Sequence, residues 1–133
     1  SAIDDPIGAL ATHLRSGERV PGFGHVIYTD RDPRAEELLR LLRDPAHGAD
    51  PAVVAAADVV IEEVSNRFDT FPNSDFALAT FTLAYGLRAD TPETVFAFAR
   101  IVGWTAHALE EYDEAPLRFR VPGIYTGTRP GTY

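Results

Sequence analysis

An all-α fold is what this sequence predicts, on three observations. Asp-Pro pairs head three apolar segments, the apolar residues within them recur at helical spacing, and little chain remains between them for strands. Aspartate caps a helix by accepting from its free N–H groups, and proline fits the first turn, where its missing N–H costs nothing. Asp5-Pro6 opens a segment with Ile7, Leu10, Ala11 and Leu14 on one stripe, and Gly17 is placed to end it. Asp32-Pro33 opens a second, striped by Ala35, Leu38, Leu39 and Leu42. Asp50-Pro51 opens a third, in which Val54, Ala57, Ile61 and Val64 line a face while Glu62, Glu63 and Arg67 stay polar.

A turn-rich stretch from Asp69 to Ser74 precedes a fourth apolar segment, Phe76 to Leu87. Thr91-Pro92-Glu93 then starts the longest helix, reaching about Tyr112. Its circumference is largely apolar, so it should expose hydrophobic surface unless something covers it. The tail from Ala115 to Tyr133 carries Pro116, Pro122, Gly123, Gly127, Pro130 and Gly131, which forbid regular helix. No internal repeat, low-complexity tract or linker interrupts the chain.

With 133 residues, 45% of them apolar, the chain can bury one ordinary core. Cysteine is absent, which removes disulfides, thiolate metal sites and cysteine nucleophiles. The formal charge of -8 argues against nucleic-acid or acidic-membrane partners, so any anion must be held by local arginines. Without a signal-type start or a long apolar run, the expectation is a soluble, cytoplasmic protein. The opening Ser1-Ala2 and the lack of methionine suggest a start that is not native.

Three groups carry candidate chemistry. In VPGFGHVIYTDRDPR, from Val20 to Arg34, His25 is flanked by glycines that let backbone approach a ligand, and Arg34 follows in the first turn of a helix. The competing reading of His25 is a surface or capping residue. Arg100 lies in VFAFARIVGW, the most apolar stretch; a buried guanidinium there needs an anion, either a protein carboxylate or a bound ligand. Asp75 stands at a predicted helix start, where it acts either as the cap or as an ionised base stabilised by the helix dipole. His13, His47 and His107 show no paired ligand spacing, so no metal site is expected.

Taken in order, the segments resemble the C-terminal part of the citrate synthase family, 2-methylcitrate synthases included. GFGHVIYTDRDPRA is similar to the family's G-[FY]-G-H followed by D-P-R, and FPNSDFA to its P-N-V-D. FAFARIVGWTAHALEEY resembles its arginine-containing helix with G-W-x-A-H, and RVPGIYTG its R-P-x-x-x-Y-x-G tail. The resemblance implies a condensation of acetyl-CoA with oxaloacetate to citrate, with Asp75 as base and His25 as hydrogen-bond donor to the oxaloacetate carbonyl. It implies that Arg34 and Arg100 hold substrate carboxylates, and that Arg120 is donated across a homodimer interface.

By the same resemblance Val20, Pro21, Gly22, Phe23 and Gly24 contact the adenine of coenzyme A, a co-substrate rather than a tightly bound cofactor. Arg31 would replace the basic residue that the family often has where Thr29 stands. Ser74, Ala77 and Leu78 are further departures and leave open a non-catalytic module that binds a di- or tricarboxylate. The family's second histidine, in an upstream G-P-L-H-G-G type motif, has no counterpart here. The expected organisation is a small domain over residues 1–90, then a long helix and tail, 91–133, that pack on a large domain, the chain alone being inactive.

Overall fold

The structure is a computed structural model and describes residues 3–17 and 19–114. The helices are α1 (Pro6–Arg15), α2 (Pro33–Arg43), α3 (Pro51–Phe68), α4 (Ser74–Ala84) and α5 (Thr91–Asp113), so the all-α expectation holds. Asp5, Asp32 and Asp50 each accept a hydrogen bond from the backbone N–H at the helix start they precede, with proline in the first turn. A fourth Asp-Pro pair, Asp44-Pro45, yields only the 3-10 turn Pro45–His47. Gly48, at a φ of 70°, and the Asp50 cap two residues later leave no room for an α-helical turn.

Helix α4 ends earlier than the apolar run suggests. Gly86 takes a φ of 60°, the Leu87 N–H reaches the Thr82 carbonyl at 2.8 Å and the Gly86 N–H the Leu83 carbonyl at 3.1 Å. This is a Schellman ending, which uses the carbonyls that a continued helix would have used. The buried hydroxyls of Thr80 and Thr82 are satisfied within the same helix, by the carbonyls of Phe76 and Leu78.

The chain divides into two compact units, Ser1–Phe96 and Ala97–Tyr133. In the first, α2 packs on α4, α1 on α3, and α3 on α4. Ala35, Leu39, Leu42 and Ala77 form the buried centre, closed by Leu38, Val54, Ile61 and Phe81. Ala35 and Ala77 have no exposed surface, and such small residues let α2 and α4 approach closely. Helix α3 buries Val53, Ala57 and Val64 rather than the single stripe expected, because it packs against α1 and α4 and also touches α2.

Helix α5 begins in the first unit and supplies the described part of the second. None of its residues is buried, and Phe96, Phe98, Val102, Trp104 and Leu109 are exposed, as its composition predicted. The 115–133 tail lies outside the described residues.

This packing makes two predictions. Gly22 sits at a φ of 83°, and a Cβ there would stand 2.9 Å from the Phe76 Cβ, so Gly22→Ala combines backbone strain with a clash. The variant should lose about 1–3 kcal/mol in chemical denaturation. Size-exclusion of the chain should show concentration-dependent association through α5, which Phe98→Glu with Val102→Glu suppresses; one unchanging monomer peak for the parent chain would contradict it.

Candidate active site

The site is built where the loop before α2 meets the start of α4. Phe23 and Pro72 form an isolated antiparallel bridge, and the Gly24 N–H donates to the Phe71 carbonyl while the Asn73 N–H donates to the Gly22 carbonyl, each at 2.8 Å. Two left-handed glycines make the approach possible, Gly22 at a φ of 83° and Gly24 at 72°. At Gly22 the close approach that the sequence led one to expect brings backbone against the first turn of α4. The Phe23 and Phe76 rings, 5.0 Å apart, close the contact.

Asn73, not Asp75, caps α4: its Oδ1 accepts from the N–H groups of Asp75 at 2.9 Å and Phe76 at 3.3 Å. The capping alternative for Asp75 is therefore corrected. Asp75 occupies the first turn, its side chain exposed and its charge favourably placed against the helix dipole.

Asp32, which the sequence marks only as a helix start, holds the cluster together. Its carboxylate is almost without exposure, at 1%. It accepts from Arg34 Nε at 2.9 Å and Nη2 at 2.7 Å, from the Arg34 N–H at 3.1 Å, and from the Ser74 N–H at 3.0 Å. The hydrogen bond from the Arg34 side chain is the main cause holding its pKa at about 2 against an ordinary 3.8, partly opposed by burial. Arg34 is raised in turn, chiefly by Asp32, with the charges of Tyr28 and Asp75 adding to the effect.

Tyr28 links the remaining members. The Arg34 guanidinium stands over its ring at 5.3 Å and the His25 ring lies 4.8 Å from it. His25 Nδ1 accepts from the N–H groups of Ile27 at 3.0 Å and Tyr28 at 3.2 Å. With Nδ1 used as the acceptor, Nε2 is the ring nitrogen left to act as an N–H donor.

The structure therefore brings His25, Arg34 and Asp75 to one junction. Neither Asp32's reach to Ser74 nor Asn73's to Gly24 is visible in the sequence, since partners 42 and 49 residues away leave no local signal. Val20, Phe23, Gly24 and His25 line a groove of about 960 Å³ together with Arg19, Arg67 and Phe68. Arg31 points into an ion pair with Glu36 at 3.5 Å. Pro21 precedes the bridge as part of the same loop.

Arg100 belongs to the second unit and is exposed, which corrects the expectation that its apolar sequence context buries it. On a helix that buries none of its residues, its guanidinium lies over Gly103. Arg120 lies outside the described residues. Among the described residues no group of three or more His, Asp or Glu side chains could hold a metal ion, and no helix is long and apolar enough to cross a membrane.

Residues 2–120 match the family described as citrate synthase, C-terminal domain. The chain belongs to the citrate synthase family. It is 35% identical over 94% of its length to a citrate synthase of Haloferax volcanii and 30% identical over 94% to 2-methylcitrate synthase 1 of Corynebacterium glutamicum. Among solved structures, a citrate synthase from Thermotoga maritima superposes on 98% of the chain with a TM-score of 0.71 at 29% identity. One from Thermoplasma acidophilum, in a ternary complex with carboxymethyl coenzyme A and oxaloacetate, shares the fold with a TM-score of 0.69 at 23% identity. The chain spans about a third of these citrate and 2-methylcitrate synthases, from 33% to 36% of their lengths.

The Asp32 carboxylate yields an acid-stability prediction. Its folded pKa is depressed, so its contribution is complete above the ordinary 3.8 and is lost as pH falls through about 2. The size of the depression corresponds to about 2 kcal/mol. Denaturation at a series of pH values should show that loss in the parent chain, while Asp32→Asn should be less stable at neutral pH and lack this part of the acid dependence.

Proposed function

We propose that this chain is the portion of a citrate synthase that supplies the catalytic base and part of the keto-acid site. The observation that carries the reading is the junction at which the His25 loop, Arg34 and the Asp75 helix start are tied together by Asp32 and Asn73. In this reading Asp75 removes a proton from the methyl carbon of acetyl-CoA. The resulting enol carbon attacks the ketone of oxaloacetate, and hydrolysis of the thioester releases citrate and coenzyme A.

His25 donates its Nε2–H to the ketone oxygen, where negative charge develops as the carbon–carbon bond forms. Arg34, whose Nε and Nη2 are engaged by Asp32, keeps Nη1 and the remaining Nη2 proton for a substrate carboxylate. Arg100 and Arg120 supply further guanidinium groups, the latter across a homodimer interface. Val20, Pro21, Gly22, Phe23 and Gly24 take the adenine of coenzyme A, with Arg31 toward its phosphates. Its exposed pair with Glu36 is weak enough to be exchanged for a phosphate.

Residues 1–90 act as the small domain, and 91–133 pack on a large domain that covers the apolar face of α5. The 133 residues alone are inactive, since a donor to the thioester carbonyl is not among them. The setting is cytoplasmic, with no nucleic-acid or membrane partner.

The test is coenzyme A release from acetyl-CoA and oxaloacetate by the protein that carries this chain. Asp75→Asn should lower kcat by about 10²–10⁴-fold while calorimetry still detects oxaloacetate. Unchanged turnover in that variant removes Asp75 from its role. Similarity to the Corynebacterium 2-methylcitrate synthase supports a second reading with propionyl-CoA, separated by comparing kcat/KM for the two thioesters. Carboxylate binding without turnover of either would mark a non-catalytic module, the reading that Thr29, Ala77 and Leu78 motivate.

A further inference from the structure

We infer that Asn73 is a positioning residue, whose carboxamide fixes His25 relative to Asp75 by gripping the backbone beside each. The inference rests on the reading of Asp75 as base and His25 as donor. The carboxamide has two chemically distinct ends, and both are used. Its Oδ1 takes the Asp75 N–H at 2.9 Å and the Phe76 N–H at 3.3 Å, while Nδ2 donates to the Gly24 carbonyl at 2.9 Å. One planar group thus spans from the first turn of α4 to the peptide that leads into His25.

Capping alone does not require asparagine. Aspartate and serine cap as well, and aspartate adds a favourable charge against the helix dipole. What the carboxamide adds is the donor. The Gly24 carbonyl belongs to a residue at a φ of 72°, and a Cβ on it would stand 3.3 Å from Thr70 Oγ1, so this peptide is closely confined on its other side. With the Gly24 N–H still on the Phe71 carbonyl, losing the Nδ2 tether lets the peptide between Gly24 and His25 turn toward the groove, and His25, held beyond it through Ile27 and Tyr28, moves with it.

The experiment compares Asn73→Asp and Asn73→Ser in the protein that carries this chain. The Asn73→Asp variant keeps the cap and sets an acceptor against the Gly24 carbonyl. The Asn73→Ser variant keeps a cap oxygen, removes the donor and adds no charge, so it stands in if the first variant unfolds. We expect a melting temperature within a few degrees of the parent, kcat for coenzyme A release lower by about tenfold or more, and a KM for acetyl-CoA changed less than about twofold. In a His25→Ala background the same substitution should change kcat by less than about twofold, because the two act through one group.

Full kcat in both variants, or equal losses with and without His25, overturns the inference and leaves a cap. A readout independent of turnover is the ¹⁵N spectrum of the His25 ring in the chain. The parent should show Nδ1 unprotonated and Nε2 protonated, and the variants a mixture; an unchanged ring pattern overturns the tether. If the parent protein releases no coenzyme A, the functional reading fails while the ring spectrum still decides the tether.

Discussion

The Asp32 carboxylate is the interaction on which the candidate site depends. A charge taken almost wholly out of water costs several kcal/mol unless every lone pair is met, and here four N–H donors converge on it. Three come from Arg34 and one from the backbone of Ser74, so the same two oxygens orient the guanidinium at the head of α2 and anchor the start of α4. Both helices also meet through Ala35 and Ala77, residues too small to hold the side chains apart. Apolar packing brings the helix starts together, and the buried carboxylate sets their register.

Above that foundation the loop from Val20 to His25 is laid against α4 by backbone rather than by side chains. The bridge between Phe23 and Pro72 and the two left-handed glycines bring polypeptide so close that a Cβ on Gly22 would collide with Phe76. The consequence for chemistry is that His25 and Asp75, which belong to different segments, are separated by only a few hydrogen-bonded groups. Preorganisation of this kind matters most when charge develops on a substrate oxygen, because the donor then needs no reorganisation.

Much of the fold is legible in the sequence because its start signals are local. Each Asp-Pro pair reports a cap whose partner lies within three residues, and the spacing of Leu38, Leu39 and Leu42 reports the buried face of α2. The early end of α4 is not legible, because Tyr85 and Leu87 continue the apolar run while the decision rests with Gly86. Arg100 reads as buried because apolar residues surround it in sequence, yet on a helix that buries none of its residues such neighbours are themselves exposed. His25, Arg34 and Asp75 stand out through their motifs. Asp32 and Asn73 do not, because short polar side chains at helix starts already have a sufficient local role, and their second role is visible only once α2, α4 and the loop are assembled.

The charge balance of the junction bears on how complete the site is. Asp32 and Arg34 cancel as a pair, His25 has its Nδ1 occupied by two backbone N–H groups, and Asp75 adds a negative charge beside them. Such a cluster does not by itself attract a dicarboxylate; in a chain of formal charge -8 the surrounding field opposes one as well. Arg34 can offer directional hydrogen bonds but little net attraction, because its charge is already spent on Asp32. A dianion bound beside Asp75 therefore requires additional guanidinium groups, the role proposed for Arg100 and Arg120. The electrostatics thus set a division of labour within the proposed reading: the junction positions Asp75 and His25, and the affinity for an anionic substrate has to come from cations outside it.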